Sequence, residues 1–139
     1  MNVIYAVKCE VDPVDEAVWD EWHTTQHIPD ILMQPGFIRA TKYKIEVESG
    51  WPQYIVLYEL DSRASLDNYL NGEAVIRLRA DHYTRFGNST RLSRMLLMPT
   101  VSIDKDRPAP RQKKVSIRKK SVGKKPIAQK PAAKKRTRK

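Results

Sequence analysis

The residues best suited to chemistry in this 139-residue chain are its three histidines, His23, His27 and His82. An imidazole changes charge near neutral pH, so it can take and return a proton or anchor a ligand. His23 and His27 stand four apart, which puts both on one side of a helix. The zinc-protease pattern H-E-x-x-H uses that spacing, but Thr24 stands where the pattern needs its glutamate base and no third ligand is evident. No metal is therefore expected. The apolar stripe of the helix that carries them, Val14, Val18, Trp19 and Trp22, centres on Val18 and Trp22. On that wheel His23 lies at the flank and His27 further round, positions from which each would cap the helix end or bond backbone. His82 falls between Val75, Leu78 and Phe86, on the inward stripe of a later helix. A buried imidazole needs a hydrogen-bond partner. His82 is therefore either a satisfied core histidine or a cavity imidazole that shuttles protons or anchors a ligand. Tyr43, Tyr54 and Tyr58 can donate phenol hydrogen bonds from strands. Register decides which of them face a cavity, and a slip of one residue reverses the answer. Trp22 is either core or a platform for a ligand. The sequence has no Gly-rich phosphate loop, nucleophile elbow, metal-type cysteine cluster or convincing carboxylate pair, so no cofactor is expected.

The elements that must position these residues follow from period and punctuation. Val3, Tyr5, Val7, Cys9 and Val11 alternate with Asn2, Ile4, Ala6, Lys8 and Glu10, which predicts a first strand. Asp12 and Pro13 open a helix. Pro29 disfavours helical geometry at Ile28, so this helix is expected to stop near His27 and give way to a short apolar turn, Ile31 to Met33. Gln34-Pro35-Gly36 launches a second strand, about Phe37 to Val47, and Gln53 to Leu60 form a third. Asp61 or Ser62 caps a helical region interrupted at Asn71-Gly72 and resumed from Glu73 to Phe86. The last strand runs from Arg91 to about Met98. The order is βαββαβ. It predicts an α+β, ferredoxin-like domain with two helices on one face of a four-stranded antiparallel sheet.

The third and fourth strands read as apolar on both faces. Tyr54, Val56, Tyr58 and Leu60 alternate with Ile55 and Leu57, and Met95 and Leu97 alternate with Leu96 and Met98. Helices cover only one face of such a sheet. The other is an apolar liability of several hundred square ångströms, on the order of the largest patch a monomer carries. A second copy packed sheet to sheet, as an isologous homodimer, removes it.

At W-x-x-W-H-x-x-x-H-I-P-D-I-L-x-x-P-G-F, Trp19 to Phe37, the chain resembles dimeric α/β-barrel proteins, the superfamily of EthD-like proteins and small cofactor-free monooxygenases. Tyr54–Glu59 (YIVLYE), Leu66–Leu70 (LDNYL) and Arg79–Gly87 (RADHYTRFG) resemble one uncharacterised bacterial branch of it. The resemblance covers about residues 2–98. It implies a barrel made by two sheets, with a cavity between sheet and helices in each subunit and a small aromatic or apolar ligand inside. Relatives include monooxygenases, cyclases and haem enzymes, so it implies a fold rather than one reaction. His27 occupies the family's H-x-P position and joins His82 as a catalytic candidate for a cofactor-free oxygenase, cyclase or isomerase. Trp22, His23, Tyr43, Tyr58 and Phe86 are the ligand-binding candidates.

Charge divides the chain into an expected barrel domain, 1–103, and a tail, 104–139. The tail holds 16 Lys and Arg against two Asp, a net of +14. The whole chain is +10, so residues 1–103 are net −4. The tail has no aromatics and four prolines, and it resembles the Lys-Pro-Ala tails of linker histones. Too little apolar surface is available to offset the ordering entropy, so it is expected to be disordered. Its candidate phosphate contacts are Lys113, Lys114, Arg118, Lys119, Lys120, Lys124, Lys125, Lys134, Lys135, Arg136 and Arg138, meeting DNA or RNA without sequence preference. A solubilising extension and a binder of acidic lipid are the other readings. The single cysteine, the lack of a signal-peptide pattern and the lack of an apolar run of roughly 18 residues point to the cytoplasm. In a gel shift, full-length protein should retard duplex DNA and a 1–103 truncation should not. If roughly 6–10 cations engage phosphate, the retardation weakens about 10³–10⁵-fold between 50 and 200 mM salt. Equal binding by both proteins would remove the tail from this role.

Overall fold

A computed structural model describes residues 2–107. Residues up to Thr100 form one compact unit, and Val101 to Arg107 fall outside it. There, Arg107 N–H donates to the Asp104 carbonyl at 3.1 Å, closing an isolated bridge. The eleven tail cations named above lie outside the described residues.

The order of elements in the compact unit is β1 (Val3–Val11), α1 (Glu16–Trp22), a π-helical turn (His23–His27), α2 (Ile28–Leu32), β2 (Phe37–Ile45), β3 (Gln53–Leu60), α3 (Arg63–Leu70), α4 (Glu73–Phe86) and β4 (Thr90–Leu97). The four strands form one antiparallel sheet in the order β2-β3-β1-β4. This is the ferredoxin-like arrangement that the pattern predicts. The period-2 faces hold. Val3, Tyr5, Cys9 and Val11 of β1 are buried beside Tyr54, Val56, Tyr58 and Leu60 of β3, under the helices. Ser62 caps α3 by accepting from Ser65 N–H at 3.1 Å.

The first helical run departs from expectation. Pro29 does not end it. The Ile28 N–H reaches back five residues to the His23 carbonyl, which makes a wide turn. That turn relieves the clash a proline ring makes with the carbonyl four residues earlier, and Pro29 then sits at the start of α2, where its missing N–H costs nothing. Thr25 Oγ1 donates to the Glu21 carbonyl at 2.7 Å on the same turn. The expected stripe is also corrected. Val14 and Val18 are 87% and 65% exposed, while Trp19, Trp22, His23, His27, Ile28 and Ile31 are buried. The extra residue of the wide turn keeps the later positions in phase with Trp19 and Trp22.

The outer face of the sheet carries Ala6 between Leu57 and Met95, Ile4 beside Leu97, and Ile55 beside Tyr43. Met95, Leu97 and Tyr43 are exposed there. No helix of the described residues is long and apolar enough to cross a membrane.

Gly36 joins two connections. It has φ +90°, and its carbonyl accepts from Asp61 N–H at 2.9 Å. A Cβ built there would lie 2.3 Å from Ser65 Cβ. Gly50 has φ +89° with nothing within 4 Å of such a Cβ. Both Ala substitutions carry the left-handed backbone cost, about 1–2 kcal/mol. Only Gly36→Ala adds the collision with α3. Urea melts should therefore show Gly36→Ala the more damaging of the two, and equal losses would remove the close approach from the fold's support.

Candidate functional site

The apolar core is two clusters rather than one. The first gathers Tyr5, Ile28, Ile31, Val56, Tyr58, Leu66, Tyr69 and Leu78, among others. The second holds Cys9, Val11, Trp19, Trp22, Tyr54 and Phe86. His23, His27 and His82 are the only buried polar side chains among the described residues, and by sequence they stand where the clusters meet. His82 lies on α4 between Leu78 of one and Phe86 of the other. His27 lies between Trp22 of one and Ile28 of the other.

The three imidazoles touch. Ring centroids of His27 and His82 are 5.4 Å apart, those of His23 and His27 5.5 Å, and those of His23 and His82 6.3 Å. Trp19 stacks on His23 at 4.3 Å and Trp22 on His27 at 4.8 Å. Trp19 Nε1 donates to His82 Nε2 at 3.1 Å. An indole N–H only donates, so Nε2 holds a lone pair and the proton of neutral His82 is on Nδ1. The sequence left His82 either satisfied or functional. Here one nitrogen is satisfied and the other is a donor. His23 Nδ1, His27 Nδ1 and Trp22 Nε1 are buried with no partner among the described residues. Among those residues no group of three or more His, Cys, Asp or Glu is placed to hold a metal ion.

Electrostatics keep these rings uncharged. Burial is the main cause for all three. It lowers His27 to about 4, with Arg94 adding to the effect and Asp81 opposing it. His82 is likewise lowered to about 4, with His27 and Arg94 contributing. His23 is lowered to about 2, helped by Lys42. The Lys42 ammonium is fixed by Asp20 at 2.6 Å and Thr24 at 3.1 Å, and it lies 4.5 Å from the Trp19 ring centroid. Burial also pushes the Cys9 thiol up to about 12, so it is no thiolate nucleophile at neutral pH.

A cavity of about 40 Å³ lies against His23, His27 and His82, with Tyr5, Tyr58 and Tyr69 among its other walls. That volume accepts water but not an aromatic ring. Two clefts adjoin it. One, about 330 Å³, runs between α4 and β4 past His82, Tyr83 and Leu92. The other, about 290 Å³, passes Tyr5, Leu66 and Leu96. Arg79 and Arg94 line both clefts and the cavity.

The structure thus brings His23, His27, His82 and Tyr58 together and corrects the other ligand candidates. Tyr43 pairs with Ile55 and is 51% exposed on the outer face, because register puts it one residue out of phase with the inner row. Trp22 and Phe86 do not line the cavity. They pack behind the imidazoles, 5.3 Å apart. The Tyr54 hydroxyl donates to Glu16 at 2.5 Å, and its phenol is therefore engaged away from a ligand. Sequence reasoning missed Tyr5, Trp19, Tyr69, Arg79 and Arg94. Tyr5 and Trp19 already lay on inward stripes, and Arg79 lies three residues before His82, but nothing local marks an edge-strand arginine such as Arg94.

The family model described as "Domain of unknown function (DUF4286)" matches residues 2–100, and the chain belongs to that family. No curated protein matches it. Among solved structures, an ethyl tert-butyl ether D (EthD) family protein from Bacillus halodurans is similar, with TM-score 0.55 and 19% identity over 70% of this chain and 99% of that one. SnoaB, a cofactor-independent oxygenase from Streptomyces nogalater, is similar in a mutant form, with TM-score 0.54 and 14% identity over 70% and 92%. HapK from Hahella chejuensis gives TM-score 0.53 and 12% identity over 72% and 93%. At such identities the likeness shows the fold, the ferredoxin-like architecture of EthD-like proteins.

The depressed histidines set a pH dependence. Their folded values lie below the ordinary 6.5, so the unfolded chain binds more protons as pH falls. Their contribution is complete above about pH 6.5 and is lost as pH falls, down to about pH 4 for His27 and His82 and to about pH 2 for His23, at about 1.4 kcal/mol per pH unit for each imidazole. Urea melts from pH 7.5 to 4.5 should show this fall, and His82→Gln should make it shallower by one imidazole's share, leaving that of His23 and His27. A flat profile in the unaltered protein would mean that the rings are not buried neutral.

Proposed function

We propose that this DUF4286 family member is a homodimer that binds a small, largely aromatic or apolar molecule between the sheet and α4. His27 and His82 move protons on it in a cofactor-free oxygenase, cyclase or isomerase reaction. The observation that supports this is the meeting of neutral imidazoles, with unpartnered buried nitrogens, at a cavity that opens into clefts along β4. His82 presents Nδ1–H to an oxygen of the ligand and stabilises charge that develops there. His27 takes a proton from the ligand, and negative charge developing on the ligand beside it raises the low basicity that burial gives it in the free protein. His23, Tyr58 and Tyr5 shape the floor. The small void places only the reacting atoms against the imidazoles, while the ligand's body occupies the clefts. The apolar outer face of Ala6, Leu57, Met95 and Leu97 supports pairing with a second copy.

A second reading is favoured by the +14 carried by residues 104–139. In it the folded unit serves to pair two basic tails, and nucleic acid is the partner. Paired tails add avidity without any new contact. The readings are compatible.

Thermal-shift screening against phenols, quinols and aromatic acids should find compounds that raise the melting temperature. Leu92→Trp, which fills the opening from the edge strand, should abolish those shifts. His27→Gln should keep them while ending any turnover seen as oxygen uptake or an absorbance change. Sedimentation should give a dimer, and Leu57→Lys a monomer. Shifts that survive Leu92→Trp would place the ligand elsewhere.

A further inference from the structure

We propose that the ligand carries a carboxylate, received at the cleft mouth by Arg79 and Arg94. This names the substrate class of the site above and rests on the reading that a small molecule binds there.

Two arginines approach the same opening from different elements. Arg94 lies on β4, the edge strand, in register with Val7, so it belongs to the inner face of the sheet. Arg79 lies on α4, one turn before His82, and its Nη2 donates to the Tyr5 hydroxyl at 3.0 Å. Together they border the cavity and both clefts.

Their place at one opening, together with the lack of a carboxylate partner, sets them apart. Arg39, Lys42, Lys44, Arg63, Arg85 and Arg91 each have an Asp or Glu oxygen within 4.0 Å. Arg79 and Arg94 have none among the described residues, and neither do Lys8, Arg77, Lys105 and Arg107, but of these six only Arg79 and Arg94 line the cavity and both clefts. Asp81, the acidic residue next to His82, is committed to Arg85 at 3.1 Å. Residues 1–103 are net −4, so two unneutralised guanidiniums at one opening are not a consequence of a generally basic surface. A guanidinium fork matches a carboxylate in plane and spacing, and charge-assisted bonds of this kind are the strong ones. Beyond the arginines the walls turn aromatic, with Tyr5, Tyr58 and Tyr69. The site therefore has a cationic rim over an uncharged interior. That polarity orients an aromatic acid with its carboxylate outward and its ring toward His82 and His27.

The test uses full-length protein and two isosteric probes, 2-naphthoate and its uncharged amide, 2-naphthamide. Binding is read by tryptophan fluorescence at constant ionic strength. The basic tail is the same in every arm, so any attraction it exerts cancels between variants. The unaltered protein should bind 2-naphthoate at least about ten-fold more tightly than the amide, in line with charge-assisted bonds. Arg94→Gln and Arg79→Gln should each erase most of that preference, with the loss falling on 2-naphthoate far more than on the amide, and Arg94→Lys should restore part of it. Both side chains are exposed, and circular dichroism melts will confirm that the variants fold. Equal affinity for the two probes, or a preference that survives the double Gln variant, overturns the carboxylate assignment and leaves the cavity reading standing. Failure of the unaltered protein to bind either probe overturns the cavity reading, and this inference falls with it.

Discussion

Burying an imidazole is cheap only when the ring is neutral and its nitrogens find partners, and this fold buries three side by side. The Trp19–His82 bond at 3.1 Å answers one nitrogen and joins the first helical run to α4 through the core. It is a hydrogen bond between two helices on the same face of the sheet, and it fixes which nitrogen of His82 carries the proton. Trp19 and Trp22 lie against the other two rings and replace water on their faces with polarizable surface. The division of the apolar core into two clusters follows the same line. A continuous core would have placed aliphatic side chains where the imidazoles stand, and would have left no lone pairs pointing inward. A stretch of core that gives up packing for polar atoms without full partners is where local rules are expected to break for function.

The wide turn at His23–His27 belongs to that arrangement. On a plain α-helix, at about 100° per residue, Ile28 would lie opposite Trp19. One extra residue in the turn brings His27, Ile28 and Ile31 back to the side that holds Trp19, Trp22 and His23. Thr24, on the same turn, meets the Lys42 ammonium at 3.1 Å. The turn therefore sets two imidazoles inward and helps fix a cation near His23, which reinforces the neutral state of that ring. Proline two positions after the turn fits the same geometry, because it needs no amide hydrogen at the start of a new α segment.

Much of the architecture was legible because the signals were local. The alternation in β1 and β3, Ser62 as a cap, the break at Asn71-Gly72 and the Gly36 launch each act over a few residues, and each element formed where these placed it. His82 was legible for the same reason, since Val75, Leu78 and Phe86 define its face without help from distant parts of the chain. The first helical run was misread because Val14 and Val18 fit an uninterrupted helical period. A one-residue change of phase leaves a weak trace in sequence, although the run Trp19, Trp22, His23, His27, Ile28 and Ile31 contains it. Tyr43 was misplaced because β2 is an edge strand with an irregularity between Phe37 and Arg39, and its mixed composition does not declare a face. Arg79 and Arg94 look like ordinary surface cations in sequence. What marks them is the opening they share, which only the folded arrangement reveals.

The size of the enclosed space bears on how such a site works. At about 40 Å³ it is well below what a drug-sized ligand occupies, while the clefts beside it reach about 330 and 290 Å³. His82 borders both the inner cavity and the larger cleft, so the imidazole is the wall between them rather than the floor of a deep pocket. The larger cleft lies along the seam between α4 and β4. β4, like β2, is an edge strand and pairs only with β1, so this side of the sheet is held by one ladder of hydrogen bonds instead of two. A molecule seated along that seam replaces contacts between a helix and an edge strand, which are cheaper to disturb than those of a central strand buried on both sides. The imidazoles thus stand beside an edge strand, where contacts cost less to displace than at the central strands β1 and β3.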